Sequence, residues 1–216
     1  MTAKVQDKAL IARKIGMTRI VDAQGRLVPV TLLKVDEQKV SKILTPERDG
    51  YHAYQVAYYP KARKNVTKSD VARLQKVGLQ ELFSRFKEFR TPNAPLYELG
   101  SLISADLFKD VASVDVTGVT KGRGFQGAVK RWGAAIGRMT HGSRFHRRPG
   151  SLGMRSTPGR VFKNKHQPGH MGVDVTTAIN VKILDLDLEN NVLAVKGCIP
   201  GHNDGFVEVR PSKKLK

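Results

Sequence analysis

The sequence predicts a mainly β protein with minor α content, in which a small β-barrel body carries a long, basic and mostly irregular extension. Short runs of β-branched residues recur along the chain with turn sequences between them, which is typical of small barrels. In contrast, the 58 residues between Asp115 and Asp174 contain neither Asp nor Glu. Glycines and basic residues are frequent in this stretch, and large apolar residues are too few to build a core.

The first predicted element is a hairpin near the N-terminus. Residues 18–21 and 27–35 are β-branched runs, and the sequence DAQG between them is typical of a turn. Pro29 lies inside the second run and favours an edge strand or a bulge at that point, because proline cannot donate to a sheet.

The middle of the chain has a less regular pattern. A helix is predicted from residues 69–70, whose side chains can cap its N-terminus, to Lys76, with Gly78 ending it. Residues 79–90 suit either a helix or a strand. The pattern over residues 40–100 therefore predicts no single fold.

The last part of the chain returns to a strand pattern. A short helical turn and four strands are predicted at 104–108, 113–116, 176–188, 192–196 and 206–210. The long strand alternates regularly except for a break in phase at Ile183 and Leu184. Asn190 and Asn191 predict the turn that follows it.

These elements predict a body formed by two separate stretches of the chain. Its first part covers residues 1–120, with a mixed insertion at about 45–100, and its second part covers residues 168–216. The extension covers residues 121–167 and lies between the two.

The positive charge is concentrated around the extension. The chain contains 38 Lys and Arg against 19 Asp and Glu, which gives a formal net charge of +19. Residues 121–170 hold 12 of these bases, so the other 166 residues carry 26 bases and 19 acids, or +7. The sequence pI of about 10.3 exceeds the value of roughly 9 that marks nucleic-acid-binding domains. The composition therefore indicates a polyanionic partner.

Composition also argues against several other classes of protein. A single cysteine, Cys198, cannot form an internal disulfide framework or a multi-cysteine zinc site. No apolar stretch approaches the 18 or so residues of a membrane span. Residues 1–20 have neither the apolar run of a secretory signal nor the serine-rich character of a transit peptide. We therefore expect a cytoplasmic protein that contacts no membrane.

A glycine pattern raises an enzyme as an alternative. Residues 122–127 contain G-x-G-x-x-G, which occurs in dinucleotide sites and protein kinases. A dinucleotide site needs an acid about 20 residues further on, and none occurs before Asp174. The catalytic and metal-binding motifs of kinases are absent from the sequence. We therefore predict that the chain is not an enzyme.

Histidine and cysteine offer two weaker alternatives. His166 and His170 have the spacing of half a zinc site, but no cysteine pair or carboxylate lies near them in sequence to complete four ligands. Cys198 and His202 could act as a nucleophile and a base, although no third residue to orient them can be identified. A small buried residue at a strand end is the simpler interpretation of Cys198.

Aromatic residues alternate with the basic residues of the extension. Phe125, Trp132, Phe145 and Phe162 could stack on unpaired bases, while Lys and Arg neutralise phosphates and glycine lets the backbone approach closely. Fixing about fifty residues of backbone costs on the order of 50–100 kcal/mol, which a segment without a core cannot offset alone. The sequence therefore predicts an extension that threads into structured RNA and becomes ordered against it.

Several motifs are long enough to identify a family. They are KGRGFQG at 121–127, KRW at 130–132, THGS at 140–143, HRRPGS at 146–151, TPGRVFK at 157–163, PGHMG at 168–172, KIGMT at 14–18 and VKG at 195–197. Together they resemble the family of ribosomal protein three of the large subunit, in its bacterial form. The resemblance covers nearly all of the chain and is weakest over residues 40–100.

The resemblance implies a fold and a function. Members of the family have a β-barrel on the surface of the large subunit and a long loop that enters the large-subunit ribosomal RNA towards the peptidyl transferase centre. They join assembly early and catalyse nothing. Some bacterial relatives carry a methylated glutamine near the tip of the loop, but this chain reads GMRST at 153–157, so that modification is not carried over. A free architectural or regulatory nucleic-acid binder remains the alternative.

The resemblance also implies partners. They are the large-subunit ribosomal RNA and neighbouring ribosomal proteins such as fourteen and nineteen of the same subunit, with one copy of the chain in each ribosome. No cofactor is expected apart from magnesium associated with the ribosomal RNA. The protein would work in the cytoplasm, within the large ribosomal subunit.

Carried over residue by residue, the resemblance assigns RNA contacts to eleven side chains. They are Lys121, Arg123, Lys130, Arg131, Trp132, His141, Arg144, His146, Arg147, Arg148 and Arg160. Five more side chains of the same basic segment complete the predicted RNA-binding set: Arg138, Arg155, Lys163, Lys165 and His166.

Overall fold

A computed structural model of the chain describes residues 8–22, 24–95 and 97–212. The first seven and last four residues of the predicted body lie outside this part. So does Ala23 in the predicted hairpin turn.

Strands dominate the described residues. In chain order they are β1 (Leu10–Val21), β2 (Leu27–Lys34), β3 (Gln38–Leu44), β4 (Ala53–Pro60), β5 (Phe83–Arg90), β6 (Ser113–Val119), β7 (Gly124–Gln126), β8 (Gly169–Met171), β9 (Val175–Asp187), β10 (Val192–Lys196) and β11 (Phe206–Pro211). The helices are α1 (Pro46–Asp49), α2 (Lys68–Lys76) and α3 (Ala128–Trp132), with 3-10 turns at Arg63–Asn65 and Ala105–Phe108. The prediction of a mainly β protein with minor α content is confirmed.

Six strands form one sheet that closes on itself in the order β1–β11–β6–β9–β10–β2. Alternate residues of these short strands point inward, as in β11, where Val207 and Val209 are buried and their neighbours are not. Leu10, Leu33 and Leu193 from three other strands are fully buried in the same core. The apolar alternation in the sequence is thus used to fill the inside of this sheet.

The predicted hairpin is confirmed, with Val21 opposite Leu27 at the turn. The prediction of an edge at Pro29 is confirmed, because Pro29 pairs with Arg19 of β1 but lies outside the residues of β2 that pair with β10. Pro29 is accommodated because it lies one residue beyond the last pair between β2 and β10, Lys196 and Val30. The irregularity of the hairpin instead falls between Lys14 and Gly16 of β1.

The predicted strands of the last part are also present as β6, β9, β10 and β11. The break in phase at Ile183 and Leu184 corresponds to a bulge in β9. Ala194 of β10 lies opposite Asp185, and its neighbour Val195 lies opposite Ile183, so Leu184 has no partner in β10.

The middle of the chain forms a second antiparallel sheet in the order β3–β4–β5, which settles residues 79–90 in favour of a strand. The Gln38 side chain joins this sheet to β1, because its amide accepts from the Ile11 N–H (3.1 Å) and donates to the Ile11 carbonyl (3.0 Å). Helix α2 begins earlier than predicted, since Thr67 caps it by accepting from the Asp70 N–H.

The chain divides into two compact units. The sheet unit comprises the described residues up to Gly118 and from Val175 onwards, and it contains both sheets and the buried core. The basic unit is Val119–Asp174, where the sequence predicted an extension at 121–167. It contains β7, β8 and α3, and its other residues are irregular. In the described residues, no helix has the length and apolar character needed to span a membrane.

Candidate nucleic-acid interface

The two ends of the basic unit are joined by an antiparallel ladder. The Thr120 N–H donates to the Asp174 carbonyl at 2.9 Å, and the Val173 N–H donates to the Thr120 carbonyl at 3.2 Å. Further in, the Arg123 N–H donates to the Met171 carbonyl at 2.8 Å, and β7 pairs with β8. These bonds hold the outgoing and returning segments side by side at the start of the unit.

Gly172 makes the close approach of these two segments possible. Its φ is +82°, and a Cβ built on it would lie 2.2 Å from the Lys121 carbonyl oxygen. Both the backbone conformation and the space therefore require glycine at this position. The next contact inward is between Phe125 and His170, whose rings meet edge to face with centroids 5.8 Å apart.

A second junction joins α3 to the returning segment. The Trp132 indole Nε1–H and the Arg131 guanidinium Nη1 both donate to the Gln167 carbonyl, at 2.9 and 3.1 Å. The Trp132 ring also stacks on His166, with centroids 4.6 Å apart and the rings 10° from parallel. Gly133 ends α3 in a left-handed conformation, with φ +67°, and its N–H donates to the Val129 carbonyl.

The innermost part of the basic unit is irregular and is held by turns and backbone hydrogen bonds. The Gly137 N–H donates to the His146 carbonyl at 2.9 Å, and the Ser143 hydroxyl accepts from the Phe145 N–H at 3.3 Å. Only Ala128 in the whole unit is buried. The unit is therefore shaped by polar contacts and glycine turns, with no apolar core of its own.

All sixteen predicted RNA-binding residues lie in this unit. All of them are exposed except Arg131 and His146, which are partly buried. Within the part of the chain that the structure describes, none of the 12 Lys and Arg side chains at 121–170 forms an ion pair. The single acid of the unit is Asp174, at its last residue. The surface is therefore an exposed set of cations without carboxylates to neutralise them.

The predicted residues are not all equally free to meet a partner. Trp132 and His166 contact each other, and Arg131 lies over the Trp132 ring at 5.0 Å from its centroid. Arg160 lies over the Phe162 ring at 5.5 Å. Trp132 keeps 45% of its surface exposed, so one part of the indole holds the unit together and another part remains accessible.

The alternatives drawn from histidine and glycine patterns find no support in the geometry. His166 stacks on Trp132 and His170 packs against Phe125. Across the described ranges, no group of three or more His, Cys, Asp or Glu side chains is placed to hold a metal ion. The helix after G-x-G-x-x-G is α3, which the sequence pattern did not predict and which has only five residues.

The interpretation of Cys198 as a small buried residue is wrong. Its side chain is exposed, and its Sγ lies 4.0 Å from the Met17 Sδ. Cys198 follows Gly197, whose φ of +88° turns the chain at the end of β10. The residue therefore belongs to a surface turn and not to the core.

Two backbone contacts that organise the unit were not predicted from the sequence. The Gln167 carbonyl receives both the Arg131 and Trp132 donors, and no sequence pattern reports a backbone acceptor. The Phe145 carbonyl oxygen lies so close to Gly137 that a Cβ built on this glycine would be 1.9 Å from it. The glycine at 137 was the available signal for that approach.

Comparisons with known proteins agree with this geometry. The family profile described as "Ribosomal protein L3" matches residues 99–190. The large ribosomal subunit protein uL3 of Alkaliphilus metalliredigens is 44% identical over 207 residues, which are 96% of this chain and 98% of that protein. The protein of the same name from Vibrio cholerae is 45% identical over 206 residues, with 95% and 98% covered, and that from Geotalea daltonii is 42% identical over 210 residues, with 97% and 99% covered. The chain therefore belongs to the family of the large ribosomal subunit protein uL3, and it is a ribosomal protein and not an enzyme.

Proposed function

We propose that this chain is a structural constituent of the large ribosomal subunit that binds the subunit's RNA directly through its basic unit. It joins the subunit early in assembly and braces RNA near the peptidyl transferase centre. The proposal rests on family membership and on one observation. The basic unit displays 12 Lys and Arg that form no ion pair among the described residues, and its single acid lies at its edge.

The chemistry of this surface suits a folded polyanion. Uncompensated cations in water gain most from a partner with closely spaced phosphates, because each contact releases a condensed counterion. The absence of carboxylates removes the repulsion that a phosphate would otherwise meet. Glycine turns such as the one at Gly172 allow the two segments to run close together, which makes the unit narrow at that point.

The sheet unit has a different role in the proposal. Its closed sheet acts as a small barrel body that anchors the chain at the surface of the subunit, and the basic unit is the extension that enters the RNA. Neighbouring large-subunit proteins, among them fourteen and nineteen, contact the chain, and one copy is present in each ribosome. The protein works in the cytoplasm and needs no cofactor of its own beyond magnesium that accompanies the RNA.

The ladder at the start of the basic unit provides a direct experiment. The Val173 N–H donates to the Thr120 carbonyl, as the fourth residue of a β-turn does to the first, so residues 121–172 can be replaced by the two turn residues Asn-Gly. Tagged full-length chain and this turn variant are expressed side by side, and the large subunits are sedimented at moderate salt. The full-length chain should stay with the subunit and the turn variant should be depleted from it. Equal retention of the two would contradict the proposal.

A further inference from the structure

The basic unit contains a cleft of about 520 Å³. Its apolar lining comes from Ala135, Phe145 and Leu152, together with Ala128 at the start of α3. The volume lies within the range of roughly 300–1,000 Å³ that is usual for small-molecule sites. The cleft can therefore take a group the size of a nucleoside, and one side of that group would meet an aromatic ring.

The polar lining of the same cleft is cationic. Its charged side chains are Arg148 and Lys165, its other polar side chains include His166, Ser151 and Asn164, and no carboxylate lines it. Neither Arg148 nor Lys165 forms an ion pair among the described residues. An occupant therefore needs both a flat apolar face and a negative charge, and a nucleotide combines the two in one unit.

We propose that this cleft binds one unpaired nucleotide of the RNA, with the base against Phe145 and Leu152 and the phosphate near Arg148 and Lys165. This inference rests on the proposed function and assigns one part of the surface to one kind of RNA feature. A base within a duplex offers no free face, because both of its faces are covered by stacking. The cleft therefore selects bulged or looped nucleotides over paired ones.

Contacts outside the cleft hold one of its lining residues, His166, in place. His166 lines the cleft and stacks on Trp132, and Trp132 is held in turn by its hydrogen bond to the Gln167 carbonyl. Trp132 is the single tryptophan of the chain, so the tryptophan fluorescence of the protein comes from the ring that stacks on His166. A nucleotide that enters the cleft and displaces or polarises His166 changes that emission.

The test uses the full-length chain and two RNA duplexes of equal length, one fully paired and one with a single extra unpaired nucleotide. Stacking of one base on an aromatic side chain predicts that the bulged duplex binds at least about fivefold more tightly. At equal saturation the bulged duplex should change the Trp132 emission more than the paired duplex does.

Matched variants locate the effect in the cleft. Lys165→Gln and Phe145→Leu should reduce the preference for the bulged duplex, since both residues line the cleft. Lys163→Gln and Phe162→Leu are the same substitutions outside it and should keep the preference. The two lysine variants should lose a similar part of their affinity for the paired duplex, because each removes one positive charge.

Three results would decide the matter against the cleft. They are equal affinity of the wild-type chain for the two duplexes, equal loss of preference in the cleft and control variants, and a preference without any change in Trp132 emission. In each case salt-dependent binding to both duplexes would leave the proposed function standing. Failure to bind either RNA at low salt would overturn the proposed function as well.

Discussion

The sheet unit and the basic unit differ in how many side chains they bury and in whether their charged residues form ion pairs. In the sheet unit, side chains such as Leu33 and Phe108 are almost wholly buried, and charged residues pair with each other, as Arg13 does with Asp36 at 3.0 Å. In the basic unit Ala128 alone is buried, and its Lys and Arg form no ion pairs among the described residues.

The difference lies in how each unit can be stabilised. The sheet unit buries apolar surface, and each Å² buried stabilises the fold by about 25 cal/mol. This gain offsets the entropy that is lost when its backbone becomes ordered. The basic unit has the conformation-fixing devices of a folded segment, including Gly172 and the junction at Gln167, but no comparable burial. The free energy that orders the basic unit is expected to come mostly from contacts with its partner, and five changes test this difference between the two units.

The largest effect is expected from replacing residues 121–172 by Asn-Gly. Binding to large-subunit ribosomal RNA should be strongly weakened, while urea unfolding followed by circular dichroism should remain a single cooperative transition. The reason is that the core residues of the sheet unit are untouched by the replacement. A variant that fails to fold would show that the two units are not independent and would contradict the division.

Truncating a buried aromatic residue should affect stability strongly in one unit only. Phe108→Ala removes a ring that is 1% exposed and should lower the free energy of unfolding by about 3–5 kcal/mol. Phe125→Ala, in the basic unit, removes a ring that is 65% exposed and should change it by no more than about 0.5 kcal/mol. Urea denaturation of both variants measures the contrast, and similar losses would argue against it.

Gly172→Ala should disturb the start of the basic unit. The new Cβ would meet the Lys121 carbonyl oxygen and would force an unfavourable φ, at a cost of about 1–3 kcal/mol. We expect weaker RNA binding with the unfolding of the sheet unit unchanged. Gly142→Ala is the matched control, because its φ is +71° but nothing lies within 4 Å of the new Cβ. Equal affinities of the two variants for RNA would show that the close approach at Gly172 is unimportant.

Trp132→Phe should loosen the junction at Gln167 by a smaller amount. It removes the indole donor to the Gln167 carbonyl but keeps an aromatic ring against His166. One hydrogen bond contributes about 0.5–1.5 kcal/mol, which corresponds to roughly two- to tenfold faster tryptic cleavage within the basic unit. Gel analysis of a digestion time course measures the rate. An unchanged rate would mean that the indole hydrogen bond does not help to hold the outgoing and returning segments together.

The smallest effect is a dependence of the sheet unit on acid pH. The Lys42 ammonium donates to the Asp49 carboxylate at 3.0 Å and lowers the pKa of that carboxyl below its usual 3.8. A carboxyl with a lowered pKa stabilises the fold fully above its unfolded value, and that stabilisation is lost as the pH falls through the folded value. The urea midpoint should therefore be constant from about pH 7 to 5 and fall below about pH 4.

Asp49→Asn is the control for this pH effect. The variant has no ionisable carboxyl at this position, so its urea midpoint should fall slightly less at acid pH than that of the wild type. Asp22, Asp106 and Asp187 also have lowered pKa values, because hydrogen bonds from neighbouring residues favour their charged forms, so most of the fall should remain. A midpoint that falls equally in the variant and the wild type would assign no role to the Lys42 contact.

The sequence was most informative where local chemistry decides the structure. The β9–β10 hairpin was predictable because alternation and the Asn190–Asn191 turn act within a few residues, and even the bulge at Leu184 was visible as a break in phase. The acid-free stretch likewise marked the basic unit, because charge is a property of composition.

Long-range contacts account for what the sequence did not predict. Strands β3 and β4 were missed because their pattern depends on pairing within the second sheet and on Gln38, whose side chain bonds to Ile11 in β1. The pairing of the rest of β2 with β10 was not predictable either, because Val30 meets Lys196, a residue 166 places further on. The junction at Gln167 depends on a backbone carbonyl, which no residue type reveals.

The salt dependence of RNA binding tests most directly whether the basic unit is the part of the chain that binds RNA. Affinity for large-subunit ribosomal RNA is measured for the full-length chain and for the Asn-Gly variant over a series of salt concentrations. Each neutralised phosphate contributes about −0.7 to −0.9 to the slope of log affinity against log salt, so engagement of half of the 12 bases predicts a slope of about −4 to −5. We predict that slope for the full-length chain and a much shallower one for the variant. Equal slopes would contradict the assignment of RNA binding to the basic unit.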